Sequence, residues 1–99
     1  MEKLSILIVG AGLAGTSLAQ RLLEKQQQVT LIDSGQNNST AIAAGIINPI
    51  VFRRMNKSWR VDDFLQEAIA YYKHLEDNLN TRLIRPLFLR RLFFVIFFF

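Results

Sequence analysis

Gly10, Gly12 and Gly15 stand in the pattern G-x-G-x-x-G, and this spacing constrains the fold more than any other feature of the chain. Before them, Leu4–Val9 is an apolar run of strand length, rich in β-branched residues. After them, Leu13–Gln26 has helical spacing, with Ala14, Leu18, Ala19 and Leu22 on one side and Gln20, Arg21, Glu24 and Lys25 on the other. Strand, glycine turn and helix in this order open a doubly wound, Rossmann-like α/β unit. Gly10 permits the tight turn out of the strand. Gly12, lacking a Cβ, lets a pyrophosphate approach the backbone, and Gly15 lets the helix pack closely on the strand. The helix then presents free N–H groups and the positive end of its dipole to an anion. The bland alternative is a glycine turn that binds nothing.

A second strand follows. Gln28–Asp33, QVTLID, ends in an acid. Asp33 lies about 20 residues beyond the glycines, where a carboxylate accepts hydrogen bonds from an adenosine ribose. The plainer reading makes Asp33 an ordinary strand-end cap. No Lys or Arg follows it directly, which disfavours a ribose 2′-phosphate and points to FAD or NAD before NADP. The strand–helix–strand order predicts a parallel pair with a right-handed crossover.

Ninety-nine residues make one small domain at most. A hydrophobic content of 51% supports a packed core and argues against disorder. The chain has no cysteine, which excludes disulfides, thiolate metal sites and cysteine nucleophiles within it and is compatible with a reducing cytoplasm. With a single histidine, a His-based metal cluster is not expected. The net charge of +4 comes from Arg53–Arg60 and Arg82–Arg91, and a positive field beside an anionic dinucleotide explains it more simply than nucleic acid does. Lys3 and the apolar run after it have some look of a secretory signal. The glycines break that run where a phosphate loop needs them, and a cytoplasmic location is expected instead.

Ser34–Thr40, SGQNNST, is a polar run of turn formers, readable as a connector or as a lid over adenosine and pyrophosphate. Ser39 and Thr40 offer short hydroxyls suited to phosphate oxygens. Thr40–Pro49, TAIAAGIINP, is small and apolar, with Gly45 at its centre. Gly45 can adopt positive φ and turn its N–H inward. A short buried helix that merely packs fits these residues equally well.

Taken together, ILIVGAGLAG, LIDS and STAIAAGIINP resemble, in this order, the N-terminal end of the D-amino-acid oxidase-like, FAD-dependent oxidoreductases. The third motif is more specific than the glycine loop, and the resemblance covers residues 4–80. It implies FAD as cofactor. It implies that Ala11, Gly12, Leu13 and Ala14 meet the pyrophosphate through backbone groups, that Asp33 holds the ribose, and that Ser34 borders the adenosine. Ser39 and Thr40 would bond phosphate oxygens, and Ala44, Gly45 and Ile46 would line the flavin. One departure is Asp33, where many FAD proteins have Glu; the shorter acid can make the same hydrogen bonds. The implied reaction is oxidation of the C–N bond of an amino acid or amine by hydride transfer to flavin, leaving an imine that water hydrolyses. No side chain of this stretch is implied as acid or base, so no catalytic residue is named, and this chain alone would be inactive. Alternatives are an NAD-binding Rossmann fragment and a non-enzymatic membrane-surface or interaction peptide.

Ile50–Arg60 carries four basic residues among apolar ones. It reads as a cofactor-proximal loop or as a face meeting other parts of the enzyme, with Trp59 as a packing anchor. Val61–Asn80 reads as a second helix capped by Asp62 or Asp63, with His74 solvated. Leu87–Phe99 is anomalous. Its uninterrupted apolar run, Leu92–Phe99, is far shorter than the roughly 20 residues of a membrane span. Phe, Leu and Ile are what AT-rich DNA yields out of frame. The expected division is therefore a partial FAD-binding domain over 1–86 and a frameshifted or truncated tail over 87–99. The other reading of the tail places Arg90 and Arg91 at lipid headgroups.

Overall fold

A computed structural model of the chain describes residues 2–36, 38–51 and 56–90, in two compact units that divide between Ile47 and Asn48. In the first unit, strand β1 (Ser5–Val9) leads through the glycine turn into helix α1 (Leu13–Glu24), and the chain returns as strand β2 (Gln28–Ile32). The strands pair in parallel, with Ile6 opposite Val29, Ile8 opposite Leu31 and Val9 opposite Ile32. The α/β class expected from the glycine spacing is the one observed, a partial Rossmann-like unit. A four-residue helix, α2 (Ser39–Ile42), follows the polar loop.

Alternation along β1 sends Ile6 and Ile8 to one face of the pair and Leu7 and Val9 to the other. The first face receives α1. Ile8 and Ala19 are buried, and a Cβ added to Gly15 would stand 3.4 Å from Ile8 Cγ2. The same Cβ would collide with the Gly10 carbonyl oxygen, so the third glycine sets how closely helix and strand approach. The opposite face is open. Leu7 is 61% exposed and Val9 76%. Within the described residues β1 is therefore covered on one side only, although its sequence is apolar on both.

Helix α1 stops two residues short of the expected Gln26, and the reason is local. Gln26 takes φ 58°, its N–H donates to the Leu23 carbonyl, and the Gln27 N–H donates to the Leu22 carbonyl. This is the Schellman closure, which usually carries glycine at the left-handed position. The Gln28 N–H then donates to the Leu4 carbonyl and the Leu4 N–H to Gln27 Oε1, which starts the parallel ladder.

The second unit contains two short antiparallel strands, β3 (Ile50–Val51) and β4 (Asn56–Lys57), and the long helix α3 (Val61–Leu79). The helix occupies the expected span, but its start differs. Arg60, at φ 49°, is the N-cap, and neither Asp62 nor Asp63 caps it. Lys57 Nζ donates to both Asp62 oxygens at 3.0 Å, and Arg60 Nε donates to Asp63 Oδ2 at 3.2 Å. These ion pairs are exposed and contribute little to stability. Trp59 is not a packing anchor. It is 76% exposed, edge-on to Phe64, with the Arg60 guanidinium 5.5 Å from its ring centre. Tyr71 is the buried residue of α3. Asn80 ends the helix in the left-handed region, and Glu76 Oε1 then accepts from the Leu83 and Ile84 N–H groups at 2.7 and 2.8 Å. Those two bonds hold the Glu76 carboxyl below the ordinary glutamate range. Beyond them the described chain has no regular structure, and Arg91–Phe99, most of the anomalous tail, lies outside the described residues.

Two substitutions test this packing. Gln26→Gly relieves a left-handed side-chain residue and should stabilise the chain by about 0.5–1 kcal/mol in urea unfolding. Gly15→Ala should destabilise it by about 1–3 kcal/mol, because the added methyl meets backbone rather than a side chain that can swing away.

Candidate functional site: the mouth of the βαβ unit

The carboxyl ends of β1 and β2 and the start of α1 meet at one crevice, the place where open α/β units bind ligands. The Gly10 N–H donates to the Ile32 carbonyl at 2.8 Å, carrying the ladder one residue past β1. With φ 105°, Gly10 then turns the chain across the end of the sheet. Gly12 is the N-cap of α1 and, being glycine, supplies no capping side chain.

An α-helix leaves its first four N–H groups without intrahelical partners. Here they belong to Gly12, Leu13, Ala14 and Gly15, because the Thr16 N–H makes the first helical bond, to the Gly12 carbonyl. The Leu13 N–H donates to Thr40 Oγ1 at 3.0 Å. The N–H groups of Gly12, Ala14 and Gly15 have no partner among the described residues, and the first turn carries no acid. Three unpartnered donors at the positive end of a helix dipole, with no Cβ at the cap, fit a diphosphate.

Asp33 closes the other side. Its Oδ2 accepts from the Ala11 N–H and its Oδ1 from the Gly35 N–H, both at 2.6 Å. The Ala11 bond, then the Gly35 bond, hold its carboxyl below the ordinary aspartate range, so it is ionised throughout the physiological interval. An ionised carboxylate has about four acceptor positions, and the two left over fit the two hydroxyls of a ribose.

The structure thus brings together Gly10–Gly15, Asp33 and Thr40. Among the described residues, no hydrogen bond joins the other expected residues to that cluster. Ser34 Oγ accepts from the Gln36 N–H at 3.3 Å. Ser39 begins α2, and its carbonyl accepts from the Ala43 N–H. Ala44, Gly45 and Ile46 are exposed and have no regular secondary structure, with Gly45 at φ 69°. The short helix at the start of TAIAAGIINP buries none of its residues, which removes the reading of a buried packing helix. Two features of the site escaped the sequence reading. Asn38 Oδ1 caps α2 by accepting from the Ala41 N–H at 3.1 Å, and the Gly35 N–H grips Asp33. Both have local signals, an Asn before a helix start and an Asp two residues ahead of a glycine.

A parallel βαβ unit with a glycine-capped helix start and a carboxylate at the end of the second strand defines a dinucleotide-binding protein. Residues 5–92 match the family model of the FAD dependent oxidoreductases (DAO), and the chain belongs to that family, whose cofactor is FAD. The match runs past Pro86, where the family likeness was expected to fade. The chain is also similar to the uncharacterized oxidoreductase YurR of Bacillus subtilis (strain 168), 38% identical over 77 residues. That alignment covers 77% of this chain and 20% of the relative, so the aligned part spans about a fifth of the relative's length. No solved structure matches the chain. Among the described residues no helix is long and apolar enough to cross a membrane, and no group of acidic or histidine side chains is placed to hold a metal ion.

The Asp33 bridge predicts a pH dependence with a definite sign. Because its folded pKa lies below the unfolded value, the stabilisation is fully present above about pH 4 and is lost as pH falls through the folded pKa. Hydrogen exchange of the Ala11 and Gly35 amides, corrected for intrinsic rates, should stay slow down to that range and accelerate below it. In Asp33→Asn the acid-dependent step should vanish.

Proposed function

We propose that this chain supplies the ADP-binding side of an FAD-dependent oxidoreductase that oxidises an amino acid or a small amine. One observation carries the cofactor half of this reading. Asp33 bridges the Ala11 and Gly35 N–H groups while three helix-start N–H groups beside it remain available to an anion. In this reading Gly12, Ala14 and Gly15 hold the diphosphate through their N–H groups, and Asp33 accepts from the ribose. The hydroxyls of Ser39 and Thr40 reach phosphate oxygens. Ala11 and Leu13 act at one remove, since their N–H groups serve Asp33 and Thr40. Ser34 borders the adenosine, and the exposed small residues Ala44, Gly45 and Ile46 lie against the flavin.

When bound, FAD accepts the hydride leaving the substrate carbon. The residues of this chain bind and orient the cofactor, and none is assigned a proton. The substrate half rests on the resemblance of Ser39-Thr40 and the Ala-Ala-Gly segment after them to the D-amino-acid oxidase-like enzymes. The absence of cysteine suits a reducing cytoplasm. The proposed division keeps 1–86 as the cofactor-binding stretch and 87–99 as a separate tail, in line with the exposure of Leu87 and Phe88.

Calorimetric titration tests the cofactor half. ADP should bind and compete with FAD, and adenosine 2′-phosphate 5′-diphosphate should bind at least tenfold more weakly because a second anion faces Asp33. Equal affinity for the two would contradict the assignment of Asp33. Anaerobic mixing of the FAD-loaded oxidoreductase with amino acids or amines should bleach the flavin band; bleaching by 2-hydroxy acids alone would overturn the substrate class.

A further inference from the structure

Helix α1 begins on a glycine, so the position that usually carries Ser, Thr, Asp or Asn has no side chain to offer its first turn. The missing oxygen comes from elsewhere. Thr40, 27 residues further on, places Oγ1 3.0 Å from the Leu13 nitrogen. The fit around that hydroxyl is close, since a Cβ on Gly12 would stand 3.2 Å from the same oxygen. A side chain at position 12 would therefore crowd this contact, and the hydroxyl would have to give by a few tenths of an ångström. Thr40 itself is held in place. Asn38 Oδ1 accepts from the Ala41 N–H and the Ser39 carbonyl from the Ala43 N–H, which shapes the single turn that carries Thr40.

We infer that Thr40 is the N-cap of α1 acting from a distance, and that this one bond ties the α2 turn to the phosphate loop so that the two open together. The α2 turn has four residues and buries none of them, so little else within it resists fraying. A hydroxyl that accepts from Leu13 still has its own proton to donate. It can extend the helix-start donor by one bond toward a phosphate oxygen. Thr40 and Ser39 are then unequal: Thr40 is a positioning residue joined to the loop, while Ser39, among the described residues, is hydrogen-bonded within its own turn. The tie stands on geometry alone. Its use in gripping a cofactor rests on the reading of the crevice as the FAD site.

The test is amide hydrogen exchange of the full chain by NMR, without nucleotide, in wild type, Thr40→Ser and Thr40→Val. Loss of a cap should speed exchange of the Leu13 amide roughly tenfold in Thr40→Val. The Ala43 amide of the α2 turn should accelerate with it, while the Ala11 amide, held by Asp33, keeps its rate. Thr40→Ser, which retains the oxygen, should behave as wild type. Global unfolding would speed Ala11 as well, and in that case Asn38→Ala, which loosens the turn without touching α1, should accelerate Leu13 if the tie exists. An unchanged Leu13 amide in Thr40→Val, or an Ala43 amide indifferent to it, overturns the inference. Added ADP separates the two readings. Failure to bind contradicts the cofactor site and leaves the tie to be decided by the exchange rates, whereas binding that slows Ala43 in wild type but not in Thr40→Val supports both.

Discussion

Two short hydrogen bonds to one carboxylate organise the mouth of this molecule. Asp33 takes the Ala11 N–H with one oxygen and the Gly35 N–H with the other. It thereby joins the turn after β1 to the turn after β2. Without it, the glycine loop would be tied to β2 by the Gly10–Ile32 bond and to the α2 turn by the Leu13–Thr40 bond. The two Asp33 bonds, Ala11 first and then Gly35, also keep the carboxylate ionised. A ribose that binds there meets an acceptor already fixed in place, so little ordering remains to be done on binding.

The helix side of the crevice depends on what is missing. Gly12 has no side chain, so the cap position is open, and Gly15 has none, so α1 can sit against the Gly10 carbonyl. These absences leave three N–H groups without a partner among the described residues, free to meet an anion. The open face of the strand pair is a different matter. Leu7 and Val9 are exposed, in a chain whose aligned part spans about a fifth of its relative's length.

The parts of the fold legible in sequence were those fixed by period and by glycine. β1, α1, β2 and α3 were visible because apolar spacing changes from strand-like to helical at Gly10–Gly12 and returns at Val29. Asp33 was visible because it ends an apolar run. What stayed hidden had tertiary or unusual backbone causes. Gln26 ends α1 in a conformation that a side chain adopts only at some cost, so no glycine marked the stop. Arg60 starts α3 in the same region, while the two acids that looked like caps bond Lys57 and Arg60 instead. Trp59 looked like an anchor because large aromatics usually are, but its partners are a cation and a ring at the surface. The bond from Leu13 to Thr40 spans too much sequence for any local pattern to announce it.

A backbone-amide NMR titration of the chain with ADP tests the central claim most directly, because the claim concerns particular N–H groups. The account predicts that the largest shifts fall on Gly12, Ala14 and Gly15, with smaller ones at Ala11 and Gly35 as the ribose joins Asp33. Saturable binding that leaves those three amides unmoved, or that moves residues of α3 instead, would contradict it.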